Sequence, residues 1–222
     1  MRLVSPHISP GSVARAASAE EEVEEEQRLV ESHPSPGLKA ALASIPADGT
    51  CRILDLGPSV AGNLEFVSPL ASRVQIVDLL GGDTLTGKTA FPGHRERVGV
   101  LRALADEHAG SFHLVLAWDI FNYLPIEQAQ AVVGELARLC RPAGRLLAIV
   151  VETDTMPASP NRYRIIDEEN LAYELLTTDL RGGSHLPPAA VERLLAGFSI
   201  EHSFVLRHGV REYLAVRREL GS

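Results

Sequence analysis

The chain has 222 residues and a formal net charge of -8, with 45% hydrophobic and 23% charged residues. That balance suits a folded domain with a real core, excludes a wholly disordered chain, and lacks the basic stripe through which proteins meet nucleic-acid phosphate. The length fits one domain, and no apolar run approaches the roughly 20 residues that span a bilayer.

Residues 1–36 carry three arginines against seven glutamates, which is half of the whole charge excess in a sixth of the chain. The opening, with Pro6, Pro10 and Gly11, reads as irregular. Residues 12–31 are rich in Ala and Glu and read as a helix that stops at the breaker Ser32-His33-Pro34-Ser35-Pro36-Gly37. The segment is expected to be an acidic, partly helical extension ahead of a domain over 37–222. It is either a solvated helix, or an arm for a protein partner or an active-site lid. No basic-then-apolar signal pattern opens the chain, so a cytoplasmic protein is expected.

From Leu38 onward strands and helices alternate. A short helix over 38–44 leads through Pro46-Ala47-Asp48-Gly49 into Cys51-Arg52-Ile53-Leu54-Asp55-Leu56, a compact apolar run of the kind a buried parallel strand shows. Gly57-Pro58 ends it. A helix over about 62–70 and a second strand, Arg73-Val74-Gln75-Ile76-Val77-Asp78, follow, then a turn-rich stretch with Gly81, Gly82, Gly87, Pro92 and Gly93. Residues 94–108 place Val98, Leu101, Leu104 and Ala105 on one helical face. Residues 112–117 are the third strand of this count. Pro125 opens a helix that runs to Leu139, and Arg141-Pro142-Ala143-Gly144 closes it before a strand over 145–151.

Residues 152–197 have weak periodicity until Pro187 and Pro188 start a helix over 188–196. The last segments, 198–207 and 210–217, alternate around His208-Gly209 and read as an antiparallel hairpin. The whole implies an α/β, Rossmann-like, doubly wound, mostly parallel sheet that ends in an antiparallel hairpin.

Three segments, in order, resemble the class I S-adenosylmethionine-dependent methyltransferases. Ile53-Leu54-Asp55-Leu56-Gly57-Pro58-Ser59-Val60-Ala61-Gly62-Asn63 is similar to the family's strand-one nucleotide loop. Phe112-His113-Leu114-Val115-Leu116-Ala117-Trp118-Asp119-Ile120-Phe121-Asn122-Tyr123-Leu124 resembles its fourth-strand segment. Leu136-Ala137-Arg138-Leu139-Cys140-Arg141-Pro142-Ala143-Gly144-Arg145-Leu146-Leu147 resembles its helix-turn-strand run. The resemblance implies S-adenosylmethionine as cofactor and S-adenosylhomocysteine as product. It also implies a cofactor site drawn from Asp55, Gly57, Pro58, Gly62, Asn63, Asp78, Leu79, Ala117, Trp118 and Asp119.

Elementary chemistry supports part of that set. Ligands of open α/β sheets bind at the carboxyl ends of the strands, where glycine lets the main chain come close. Asp78, at the end of the second strand, is placed to accept hydrogen bonds from both hydroxyls of a ribose. Two features depart from the family pattern. Pro58-Ser59-Val60-Ala61 separates Gly57 from Gly62, and no clear strand lies between Asp78 and Phe112, where the family has its third. Either that edge strand is lost or Arg97-Val98-Gly99-Val100 is a short version of it.

Trp118, the only tryptophan, could stack on a purine or fill the core. Asn122 and Tyr123 follow along the same edge as candidate substrate residues. Tyr163, His185 and Glu65 are candidate bases or orienting groups if residues 152–197, with Asn161-Arg162-Tyr163-Arg164 and Gly182-Gly183-Ser184-His185, cap the substrate. Cys51 and Cys140 have no metal or disulfide spacing and read as packing residues. The eight histidines form no metal pattern, so no metal is expected. A nucleophile elbow and a Gly-x-Gly-x-x-Gly fingerprint are both absent, which argues against a hydrolase and a nicotinamide oxidoreductase. The expected function is methyl transfer to a small molecule, on an oxygen, a carbon or a nitrogen other than those handled by the Asn-Pro-Pro-aromatic tetrad, which is missing. The alternative is a catalytically silent protein of the same fold that binds a partner.

Overall fold

The computed structural model describes residues 29–46, 48–81, 94–184 and 186–218. Among the described residues six strands form the central sheet: β2 (Arg52–Asp55), β3 (Arg73–Ile76), β4 (Phe112–Trp118), β5 (Cys140–Val151), β10 (Phe198–Val205) and β11 (Val210–Arg217), in the order β10-β11-β5-β4-β2-β3. The β2, β3, β4 and β5 strands run parallel, and β11 and β10 are antiparallel additions at one edge.

The apolar runs are continuous because both faces of this sheet are covered. In β4 the side chains of Val115 and Ala117 enter one core and those of Leu114, Leu116 and Trp118 the other. The first core is packed by α3 (His94–His108), α4 (Ile126–Leu139) and α5 (Pro188–Leu194) through residues such as Leu101, Leu136 and Val191. The second takes Leu38 and Ala41 of α1 (Pro36–Ala43), Val67 of α2 (Ala61–Val67) and the strands described next.

Residues 152–197, weakly patterned in sequence, hold four further strands ahead of α5: β6 (Thr155–Pro157), β7 (Arg162–Ile165), β8 (Asn170–Glu174) and β9 (Leu180–Gly182). β7 and β8 form a hairpin, and β8 pairs on its other side with β1 (Leu29–Pro34). Tyr163, Ile165 and Leu171 press this small sheet onto the second core.

The expected helix through Glu31 is therefore corrected at its end. Residues 29–34 are a strand, because β8, some 140 residues away in sequence, supplies hydrogen bonds that outweigh a local helical preference. The rest of that helix, and the acidic extension over 1–28, lie outside the described residues. Ser35 and Pro36 belong to the domain as well. Ser35 caps α1 by accepting from Leu38 N–H, and its hydroxyl donates to the fully buried Glu212 of β11. Glu212 also accepts from Gly37 N–H at 2.7 Å, and a Cβ on Gly37 would lie 2.8 Å from that carboxylate.

Arg97-Val98-Gly99-Val100 lies inside α3 and is not an edge strand. Among the described residues no strand occurs between β3 and β4, so β3 is the sheet edge there; residues 82–93 are outside the described set. Residues 141–144 do not precede β5 but bulge out of it: Phe112 pairs with Cys140 and Leu114 with Arg145, and Ala143 takes a positive φ of 59°. The terminal hairpin turns where expected, with positive φ at His208 and Gly209 (59° and 68°). Cys51 and Cys140 are buried in the core. No helix among the described residues is long and apolar enough to cross a membrane.

Candidate functional site

The 57–62 loop leaves the carboxyl end of β2 and is shaped by Asp55. Its carboxylate accepts from Gly57 N–H at 2.9 Å and from the Trp118 indole N–H at 2.6 Å. Burial pushes the Asp55 carboxyl up to about 6, an effect opposed by those two hydrogen bonds and reinforced by the charge of Asp78. A Cβ on Gly57 would sit 2.7 Å from Trp118 Cδ1, so glycine is demanded by the indole lying against the loop. Pro58 follows, half-buried. Gly62 faces the Arg164 guanidinium, whose Nε lies 3.4 Å from where a Cβ would be.

Asn63 is buried, and both ends of its amide are used. It donates to Tyr163 C=O at 2.9 Å and accepts from Ile165 N–H at 2.7 Å, which fastens β7 over the start of α2. Asp78 is exposed beyond the end of β3, and one of its oxygens accepts from Gly81 N–H at 2.6 Å. Leu79 is buried, and its N–H donates to Leu56 C=O at 3.2 Å, tying this loop to the first.

At the end of β4, Ala117 is buried and Trp118 turns with a left-handed φ of 47°. Trp118 is 3% exposed and stacks on Tyr163, centroids 5.3 Å apart and planes at 5°. Its ring is therefore engaged by the protein, as the core reading expects. Asp119 is buried and accepts from Asn161 N–H at 3.2 Å and from the Asn161 amide at 3.1 Å. Burial pushes its carboxyl up to about 7 against the hydrogen bonds from Asn161 and Tyr163.

Asn122 works as a structural clamp. It donates to Asp119 C=O and Ile149 C=O and accepts from Val151 N–H and the Ser184 hydroxyl. Tyr123 donates its hydroxyl to Ser159 C=O at 2.8 Å, and burial raises its pKa. His185 is outside the described residues, and Glu65 is exposed on α2.

Beyond this stack lies a cavity of about 640 Å³. Its apolar walls come from Ile149 and Val151 at the carboxyl end of β5 and from Met156, Tyr163 and Tyr173 of the small strands. Asn161 and His33 also face it, as do the exposed Arg207 and His208 of the terminal hairpin. Asn161 is 9% exposed, and its Oδ1 has no hydrogen-bond partner among the described residues.

Tyr163 is thus shared: one neighbour is Trp118 on the loop side, and it also lines the cavity. Of the sequence candidates, Asp55, Gly57 and Trp118 are joined to one another, and Asp119 is joined to Asn161 and Tyr163. Asp78, beyond the end of β3, is linked to Asp55 through its charge. Arg164 and Asn161 carry no individual signal in the sequence, because a side chain's place above a loop 100 residues away leaves no local pattern. Among the described residues no group of histidines, cysteines and carboxylates is arranged to hold a metal ion.

No protein-family model and no curated protein matches the sequence. Solved structures do match in fold. An S-adenosylmethionine-dependent methyltransferase from Mesorhizobium loti aligns over 80% of this chain and 96% of its own, at 18% identity and a TM-score of 0.50. The 1,6-didemethyltoxoflavin-N1-methyltransferase of Burkholderia thailandensis aligns over 98% of this chain and 94% of its own, at 15% identity and a TM-score of 0.49. The sheet order described above and the Mesorhizobium loti match show the fold: the chain is built like that S-adenosylmethionine-dependent methyltransferase, on a Rossmann-like α/β sheet.

Proposed function

We propose that the chain transfers a methyl group from S-adenosylmethionine to a small-molecule acceptor, with S-adenosylhomocysteine as the other product. The observation that carries this reading is the gathering, at one sheet edge, of the 57–62 loop, the exposed Asp78 carboxylate and the Arg164 guanidinium beside Gly62. These groups fit the two polar ends of the cofactor. Asp78 accepts from the ribose hydroxyls, and Arg164 pairs with the methionine carboxylate.

The bound cofactor supplies an electrophilic methyl group on a sulfonium. The chain's own residues contribute position. Asp55 keeps the 57–62 loop in shape through Gly57 N–H, with Pro58 stiffening the turn and Asn63 holding α2 against β7. Leu79 and Ala117 are buried beside it, and residues 152–197 cover the acceptor. Bringing an acceptor to the methyl group in line needs no unique catalytic side chain. This reading includes a cytoplasmic setting, with the acidic extension either solvated, or an arm for a protein partner or an active-site lid.

A second reading is favoured by one specific observation. Trp118 lies against Gly57 and satisfies Asp55, so the loop is complete without a ligand, as in a silent binding protein of this fold. Isothermal titration with S-adenosylmethionine and S-adenosylhomocysteine separates the two. Micromolar binding of either, about -8 kcal/mol, supports the transferase. No heat and no thermal stabilisation at millimolar ligand would sink it in favour of the second reading.

A further inference from the structure

We propose that the cavity beside Tyr163 is a binding site for an apolar organic anion, separate from the loop that would hold the cofactor. This site is additional to the methyl-transfer site of the proposed function and does not rest on that reading. None of residues 57–62, Asp78, Trp118 or Arg164 lines the cavity. Trp118 stacks on the loop side of Tyr163, so a molecule in the cavity is screened from the loop and is not the methyl acceptor.

The walls set the body of the ligand. The cavity lies at the carboxyl end of β5, where open α/β sheets take their ligands, and its volume of about 640 Å³ is in the range of small-molecule pockets. Ile149 and Met156, each 1% exposed, form an apolar floor. Rings from three strands of the small sheet run beside it. His33 of β1 lies 5.8 Å from Tyr173 of β8, and Tyr173 lies 6.4 Å from Tyr163 of β7, centroid to centroid. Flat apolar surface fits such a wall.

The mouth sets the charge. Arg207 and His208, at the exposed turn of the terminal hairpin, line the cavity, and the Arg207 guanidinium has no partner among the described residues. No carboxylate lines it among those residues, and three of the nearby acids are engaged elsewhere. Glu152 pairs with Arg211 at 2.8 Å, Glu212 accepts from Ser35 and Gly37, and Asp119 accepts from Asn161. Asp154, between two lining threonines, is exposed and does not line the cavity. An apolar floor beneath an unneutralised guanidinium favours a ligand whose body goes in first and whose anionic end stays at the mouth.

The test uses the full chain and three probes built on one ring system, titrated calorimetrically without cofactor: 2-naphthoate, the neutral 2-naphthalenemethanol, and 2-naphthylmethylamine, a cation at neutral pH. The acid is expected to bind about tenfold tighter than the alcohol, the low end for a hydrogen bond to a charged group, with the amine weakest. Arg207→Gln, at an exposed position, should bring the acid down to the affinity of the alcohol, whereas Arg164→Gln, the cation on the loop side, should change neither. Thr155→Trp, which fills the cavity from an exposed position, should weaken acid and alcohol alike, with melting curves showing that each variant is folded. Equal affinity of the three probes, tighter binding of the amine, or no binding at millimolar concentration would overturn the site. So would dependence on Arg164 in place of Arg207, or a folded Thr155→Trp that binds as the wild type does. Titration with S-adenosylhomocysteine runs in parallel. Preference for the acid without cofactor binding would defeat methyl transfer and leave this site standing, and cofactor binding without that preference would do the reverse.

Discussion

Trp118 and Tyr163 lie face to face, 5.3 Å between ring centroids and 5° between planes, and the Trp118 indole N–H also donates to buried Asp55. One side chain thus joins the loop after β2, the end of β4 and the inserted strand β7. Trp118→Ala should therefore destabilise the fold by about 3–5 kcal/mol, the range for deleting a large buried aromatic. Because it is the only tryptophan, unfolding of the variant has to be followed by circular dichroism. A loss below about 0.5 kcal/mol, within the usual scatter of surface substitutions, would show that the stack holds nothing together.

Asp78 offers the opposite behaviour. It is exposed, and Asp78→Ala removes a loop hydrogen bond to Gly81 together with a charge that repels buried Asp55, so melting temperature should barely change. Affinity for S-adenosylmethionine should fall by about 1–3 kcal/mol, the range for hydrogen bonds to a charged group. Unchanged affinity in calorimetry would remove Asp78 from the cofactor site.

Stability should depend on pH through the two buried acids. Burial raises the Asp55 carboxyl to about 6 and the Asp119 carboxyl to about 7, above the unfolded value of about 4. Between about pH 4 and those values the folded chain keeps protons that the unfolded chain has lost. Stability from these groups is therefore highest at the low end of the window and falls as pH rises through it. Asp119→Asn, which retains an acceptor for Asn161, should flatten that fall. Urea midpoints from pH 4.5 to 8, at roughly half-unit steps, measure the slope; an unchanged slope in the variant would count against a shifted Asp119.

Glu212 fastens the N-terminal strand to the sheet, through Ser35 and Gly37. Glu212→Ala leaves both donors buried without a partner, at about 1–3 kcal/mol each. Cleavage by a nonspecific protease should then appear around residues 29–37, while Glu212→Gln, which keeps one acceptor oxygen, should resist better. Equal resistance of the wild type and both variants would mean that β1 is held by its pairing with β8 alone.

The sequence by itself determined the parallel sheet and the helices on its two faces. Apolar runs such as residues 112–117 are long enough to read as strands buried on both sides, and α3 matches its expected bounds, residues 94–108, because Val98, Leu101 and Ala105 repeat at helical spacing. The terminal hairpin was legible from His208-Gly209, and the loop between Asp55 and Asn63 from its glycines. Only the tertiary structure decided how those loop residues are used. Leu29–Pro34 is a strand because β8 comes to it, and the short β7 and β8 strands carry too few residues for a period to emerge. Likewise nothing local marks Trp118 as the partner of Asp55 and Tyr163, Asn63 as a tether for β7, or Asn161 as the owner of an unpaired buried oxygen. Hydrophobic periodicity is written along the chain, whereas the hydrogen-bonding fate of a buried polar group depends on which distant segment arrives beside it.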